Sequence, residues 1–317
     1  MFAPTEKARL PYPAISVGST PAASTSLASG HNLVGVEWCT SLDLEIQQKI
    51  SNVGCLEIIP ENFFEDLTRY PTAPLFPLIR EFQIPVILHS IGLSLSSLEP
   101  IKQAYFDKIR RIADQIPTII QISDHLCTTE MDGSAIGQLT NTFYNDDTLD
   151  CITKKIEQIQ KQITVPFALE NITHAFHIPC QKYSETEFFG KLCNRTGVGM
   201  LLDLNNIYTN GYNFATDPVG YLSELDFAHV AAIHLAGGYF DGDGFLQDGH
   251  CADVPDSVWQ LYEKAIQKAR RPILTIVEKT GRNEVTGLTG ILQDRQRALK
   301  IMKKLVGLAP TQGEALL

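Results

Sequence analysis

The sequence predicts an α/β protein built as one (β/α)8 TIM barrel, and three observations carry that expectation. Eight short apolar segments alternate with stretches of helical period between residues 33 and 306. The segments are apolar almost without interruption, as parallel strands buried on both faces require. Each also ends in, or one residue before, a carboxylate or histidine: Glu37, Glu57, His89, the pair Asp124-His125, Glu170, Asp203, His234 and Glu278. Side chains at the carboxyl ends of strands converge only when the strands are parallel and closed, where those ends form the active face. Eight such units favour a closed barrel over an open doubly wound sheet.

The elements follow in order. Residues 33–37 form the first strand, and a helix from Ser41 to Ser51 has Ser41 as its cap ahead of Asp43 and Glu45. The second strand, 55–59, runs into a Pro60-Glu61-Asn62 loop, and the third, 85–89, is a β-branched run entered through Pro85. A helix over 101–116 precedes the strand at 118–124, and one over 148–162 precedes the strand at 165–170. Helices near 185–194, 218–225 and 257–269 separate the strands at 198–203, 229–234 and 273–278, and a helix over 288–306 closes the barrel. The connections after strands four and seven are long, and loops at this face usually carry specificity. The domain therefore spans 31–306, between a flexible extension at 1–30, rich in Pro, Ser, Ala and Gly, and a tail at 307–317.

Composition narrows the function. The chain has 317 residues, 44% hydrophobic and 20% charged, which suits a soluble globular protein and a single barrel of roughly 250 residues or more. No apolar run approaches the ~20 residues that span a bilayer. The N-terminus lacks the basic start and apolar core of a signal peptide. Net charge is −10 and the pI about 5.3; with no strong basic patch, this argues against a nucleic-acid partner. Seven cysteines, odd in number and irregularly spaced without CxxC, read as reduced thiols in the cytoplasm. No GxGxxG follows the first strand and there is no P-loop, so dinucleotide and nucleotide-triphosphate sites are not expected.

Histidines and carboxylates converging on one face suit a cluster of metal ions, with bridging carboxylates and enough neutral imidazoles to limit the negative charge. The candidate ligands are His89, His125, Glu170, Asp203, Asn206, His234, Asp248, His250 and Glu278. A lone strand-end Glu is usually a salt-bridge partner and a lone His a satisfied polar residue; here the register, one such group on almost every strand, carries the metal reading. Asp203-Leu204-Asn205-Asn206 also reads as a turn whose Asn side chains cap backbone groups. His31, His174, His177 and His229 do not end strands and are expected not to be ligands.

The segments LEIIPENF (56–63), ILHSIGLSL (87–95), ISDHLC (122–127), ALENIT (168–173), LLDLNNIY (201–208), IHLAGG (233–238), DGH (248–250) and IVE (276–278) resemble the multinuclear non-haem iron-dependent oxidases. That family, in the xylose-isomerase-like barrel superfamily, includes the catalytic subunit of methanobactin synthase. The resemblance implies two or three irons, dioxygen as co-substrate, and modification of cysteine or another residue in a ribosomally made precursor peptide. It also implies a partner protein that recognises the peptide leader. By the same resemblance His89, His125 and Glu170 would hold one ion, and Glu170, Asp203, His234 and Glu278 a second, with Glu170 bridging. Asp248 and His250, with Asn206, would hold a third. Glu170 and His125 would stand at the catalytic centre, with Asn62, Asn171 and Asn205 hydrogen-bonding either the ligands from behind or the substrate. Two segments depart from the family pattern: Glu278-Lys279-Thr280, where Trp-Asp often follows the Glu, and Val36-Glu37-Trp38-Cys39, where many members have an Arg and prolines. The same ligands would also suit a zinc or manganese phosphodiesterase of endonuclease type, a sugar isomerase or epimerase, or an inactive scaffold.

Overall fold

The computed structural model describes residues 33–65, 75–279 and 287–307. The extension expected at 1–30 and the tail from 308 onward lie outside the described residues, as does His31. Eight parallel strands close into a barrel: β1 (Val34–Glu37), β2 (Leu56–Ile58), β3 (Val86–His89), β4 (Ile119–His125), β7 (Phe167–Glu170), β8 (Gly199–Asp203), β9 (Val230–Leu235) and β12 (Leu274–Val277), which returns to β1. Two antiparallel hairpins stand in the long connections, β5 (Thr128–Met131) with β6 (Ser134–Thr140) after β4, and β10 (Tyr239–Phe240) with β11 (Leu246–Gln247) after β9.

The helices are α1 (Asp43–Gln48), α2 (Leu75–Glu81), α3 (Gln103–Ala113), α4 (Asp146–Gln160), α5 (Glu185–Thr196), α6 (Leu204–Phe214), α7 (Pro218–Glu224), α8 (Asp256–Ala269) and α9 (Gly287–Val306). Caps set several of their ends. Asn145 accepts from Thr148 N at the start of α4, and Ser184 with Glu187 forms a capping box on α5, which Gly197 ends at φ 71°. Ser41, expected to cap the first helix, does not: Thr40–Leu42 is a 3-10 turn, and Ser41 Oγ lies 3.2 Å from Cys39 Sγ. Asp43 meets Trp38 Nε1 at 2.9 Å and Gln47 at 2.7 Å, which shapes this corner instead.

Most of the core lies between the barrel and its helices, where residues such as Val36, Leu88, Phe106, Ile156, Phe188 and Trp259 are buried. A smaller core fills the barrel itself, with Cys55, Ile87, Ala168, Leu201, Ala232 and Ile276. Because strand side chains alternate with period two, the residue two positions further along each strand also faces inward. Those positions are Glu57, His89, Glu170, Asp203, His234 and Glu278. An apolar layer of small and branched residues thus carries a polar layer directly above it, at the C-terminal mouth.

Candidate metal centre

Strand register makes neighbours of the polar residues. His125 pairs with Glu170 between β4 and β7, Asp203 with His234 between β8 and β9, and Glu37 with Glu57 between β1 and β2. Glu170 sits in the middle. Its Oε2 lies 2.9 Å from His89 Nε2 and 3.1 Å from His125 Nε2, and its Oε1 lies 3.3 Å from His234 Nδ1. His234 Nδ1 also faces Glu278 Oε2 at 3.0 Å and Asp203 Oδ2 at 4.0 Å. Beyond this group His250 Nε2 is 3.0 Å from Asp248 Oδ1 and 3.8 Å from Glu278 Oε2.

Among the described residues three sets have one donor atom from each member within 4.8 Å of the others: His89, Glu170 and His234; Glu170, Asp203, His234 and Glu278; and Glu37, His250 and Glu278. Glu170 Oε2, Asp203 Oδ2, His234 Nδ1, Glu278 Oε2 and Glu37 Oε2 are all buried without a hydrogen-bond partner. Imidazole nitrogens nevertheless stand 2.9 to 3.3 Å from the Glu170 and Glu278 oxygens, so the donors face one another across shared points without well-aligned hydrogen bonds. Buried, unpaired carboxylate oxygens are costly unless a cation joins them, so the donor set fits bound metal ions.

The protonation pattern follows from the same crowding. Burial alone would suppress a charge on His89, but Glu170 and Glu57 outweigh it and raise its pKa to about 9. Burial pushes His125 down to about 4, leaving it a neutral imidazole. Glu170 stays well below the carboxylate range because His125, His234 and His89 overcome its burial. Burial, reinforced by Asp248 and Glu170, drives Asp203 well upward, and burial with Glu278 beside it takes Glu37 to about 8. Protons thus occupy a site whose donors a metal ion would deprotonate on binding.

Local structure explains each placement. Asp203 is the N-cap of α6: Oδ1 accepts from Asn206 N at 2.7 Å while Oδ2 faces the cluster. The Asp203–Asn206 stretch, which also reads as a turn, is the first turn of this helix, with Asp203 and not an Asn as the cap. Asn206 Nδ2 donates to Asn171 O at 3.0 Å, and its Oδ1 is buried with no partner. Asn171 staples β7 to β8, donating to Asp203 O and accepting from Asp203 N, both at 2.9 Å. Asn205 is fully buried and donates to Asp248 Oδ1 at 2.8 Å. Asn62 lies half-buried in the 3-10 turn Pro60–Phe63. His174 Nε2 stands 3.6 Å from Glu185, and His229 Nε2 3.8 Å from Asp226, each apart from the cluster.

Three further groups support the centre. Asp124, adjacent to His125 but facing outward, accepts from Ser90 Oγ at 2.5 Å, Leu93 N at 3.1 Å and His125 N at 2.7 Å, tying the loop after β3 to the end of β4. Lys155 Nζ holds the same loop through the carbonyls of Ser94, Leu95 and Ser97 at 3.3, 3.1 and 2.6 Å. Glu57 Oε2 lies 2.9 Å from His234 Nε2, with both side chains fully buried. Glu57 ends a strand and was visible in the register, but only the fold shows that it meets the far nitrogen of a candidate ligand. For Lys155, mid-helix on α4, the sequence held no signal.

Residues 33–303 match the family model described as RiPP precursor modification enzyme MbnB/TglH/ChrH. The chain belongs to this family. The match agrees with the resemblance read from the motifs, and at family level it makes the chain an enzyme that modifies ribosomally made precursor peptides. A UPF0276 protein of Rhizorhabdus wittichii is 34% identical over 248 residues, covering 78% of this chain and 85% of its own. A UPF0276 protein of Caulobacter vibrioides is 33% identical over 229 residues, covering 72% and 79%. Among solved structures, the IOLI protein with a bound zinc atom aligns with TM-score 0.55 at 15% identity, over 87% of this chain and 99% of that one. Endonuclease IV from Thermus thermophilus aligns with TM-score 0.52 at 13% identity, again over 87% and 99%. D-psicose 3-epimerase from Clostridium cellulolyticum aligns with TM-score 0.53 at 14% identity, over 86% and 99%. At these identities the structures establish the shared barrel only. All seven cysteines are free thiols, and among the described residues no helix is long and apolar enough to cross a membrane.

Proposed function

We propose that this protein is an iron- and dioxygen-dependent oxidase that modifies cysteine, or another residue, of a ribosomally made peptide brought to it by a leader-recognising partner protein. The observation that carries the reading is Glu170, whose Oε2 faces His89 and His125 while its Oε1 faces His234. His89, His125 and Glu170 would hold one ion, and Glu170, Asp203, His234 and Glu278 a second, with Asp248, His250 and Asn206 available for a third. Imidazole and carboxylate donors with open positions are the surroundings that non-haem iron oxygenases use, and iron bound there supplies one-electron chemistry with dioxygen. Cysteine suits the site as a target because its thiolate is a metal ligand and a nearby cation lowers its pKa.

The chain's own groups define what happens around the substrate. His125, kept neutral by burial, is ready to donate a lone pair without first losing a proton. Glu57 Oε2 stands 2.9 Å from His234 Nε2 and accepts its N–H when the ring carries its proton there, which leaves Nδ1 for the centre. Asn205 orients Asp248. In this reading Asn171 and Asn205 act behind the ligands, on the Asp203 backbone and on Asp248, and Asn62 is the one left to hydrogen-bond either a ligand or the substrate. The test is anaerobic purification followed by metal analysis and Mössbauer or EPR spectroscopy. Two to three irons per chain, with a spectrum that changes on adding dioxygen and oxygen uptake that depends on a Cys-bearing precursor peptide, is the expected result. Zinc or manganese alone, with no iron taken up on reconstitution, would overturn it.

A further inference from the structure

We propose that Glu37, at the end of β1, is a ligand of the outermost metal ion, which it holds together with His250 and Glu278 while Asp248 flanks them. The inference rests on the metal-centre reading above and adds a residue that the family resemblance does not bring to the site.

Glu37 is the inward-facing residue that closes β1, level with Glu57 on one side. On the other side β1 runs alongside β12, with Val36 opposite Val277, the residue before Glu278. One donor atom each from Glu37, His250 and Glu278 fall within 4.8 Å of one another. Glu37 is only 5% exposed, and its Oε2 has no hydrogen-bond partner. A buried carboxylate oxygen without a hydrogen-bond partner is costly unless a cation joins it, and this one stands at the edge of a metal-ligand cluster.

The opposite wall is built to present His250. Its backbone is held at φ 48°, a left-handed conformation that is uncommon outside glycine and persists where the surroundings over-determine it. Gly249, just before it, packs so closely on Tyr239 that a Cβ there would stand 2.5 Å from the ring. Asp248, fixed by Asn205, and Glu278 both face His250 Nε2, at 3.0 and 3.8 Å. Glu278 Oε2 therefore faces His234 on one side and His250 on the other, as Glu170 stands between His89 with His125 and His234. With Glu37 added, the outer ion gains a carboxylate to balance its charge, where Asn206 offers only a neutral oxygen. β1 is also one of the two places where the sequence departs from the family pattern.

The test titrates the full-length protein anaerobically with ferrous iron, and separately with zinc as a redox-silent probe, in wild type, Glu37→Gln and Glu37→Asp. Metal equivalents retained after desalting and melting temperatures with and without metal are the readouts. Glu37→Gln should weaken one equivalent at least about 100-fold, leave the two inner equivalents and their spectrum in place, and melt without metal at or above the wild-type temperature; Glu37→Asp should restore part of the lost affinity. Equal retention of every equivalent by Glu37→Gln would overturn the inference alone. So would a metal-free Glu37→Gln that melts lower or fails to fold, which marks a structural carboxylate, and so would a wild type that holds only two ions. A wild type that takes up no metal would sink the metal-centre reading itself.

Discussion

Replacing Glu57 by Gln tests whether the centre is tuned from behind its ligands. The pair it forms with His234 is 2.9 Å long and wholly buried on both sides, so solvent screens it little. Burial alone would keep His234 neutral, yet Glu278, Glu57 and Glu170 together hold its pKa well above the ordinary value. To ligate through Nδ1, His234 must be neutral with its proton on Nε2, and Glu57 is the acceptor that fixes that tautomer and makes the ring more basic. Gln keeps the shape and one accepting oxygen but removes the charge. Losses on altering such a partner run to about 10–100-fold in metal affinity, which is ~1.4–2.7 kcal/mol. An anaerobic competition titration against a chromophoric chelator measures it directly. Affinity within twofold of wild type would refute the role given to Glu57. Glu57→Leu should do worse, because it also strands a buried N–H at a further cost of about 1–3 kcal/mol, visible as a lower unfolding midpoint without metal.

Other perturbations address the remaining parts. Glu170→Gln, nearly isosteric but uncharged, should abolish retention of both inner ions and peptide-dependent oxygen uptake; retention of either ion would argue against bridging. Gly35→Ala would place a Cβ 2.4 Å from the Cys55 carbonyl oxygen across the β1–β2 pair, so chemical denaturation should show a loss of about 1–3 kcal/mol, and an unchanged midpoint would contradict the close strand packing. Glu185, on α5 beside the Tyr144 and Tyr221 hydroxyls, is raised by burial to about 7, with those hydroxyls pulling it partly back. A carboxyl whose folded pKa lies above its unfolded one stabilises the fold below the unfolded value of about 4.3 and loses that contribution as pH rises through 7. Glu185→Gln should therefore gain stability relative to wild type between pH 4 and 7, by at most about 4 kcal/mol, and level off above. A flat difference across that range would show that Glu185 is not held protonated.

How much was legible in the sequence depends on the range of the physics involved. The barrel was legible because each strand announces itself locally, through a run of apolar residues and a polar residue at its end, and because eight repeats leave few ways to bury such strands. The ligand candidates were legible for the same reason: period two puts Glu170 over Ala168 and His234 over Ala232 whatever the rest of the chain does. Helix α6 was missed because Leu204–Phe214 is rich in Asn and carries a Gly, residues of poor helical propensity. It forms through the Asp203 cap and through burial of residues such as Leu204 and Ile207 against the core. Ser41 looked like a cap, but the Trp38–Asp43 bond, which depends on how β1 leaves the barrel, decided that corner.

The sequence by itself determined which residues reach the mouth of the barrel, since alternation along a strand is a property of the backbone. Only the tertiary structure decided which of them meet. Glu57 and His234 are 177 residues apart and touch. Glu37 faces His250 and Glu278 because the barrel closes β12 onto β1. Asp124 turns outward to bind a loop while His125, one residue on, turns in. Closure and register are sums over the whole chain, and no local window contains them.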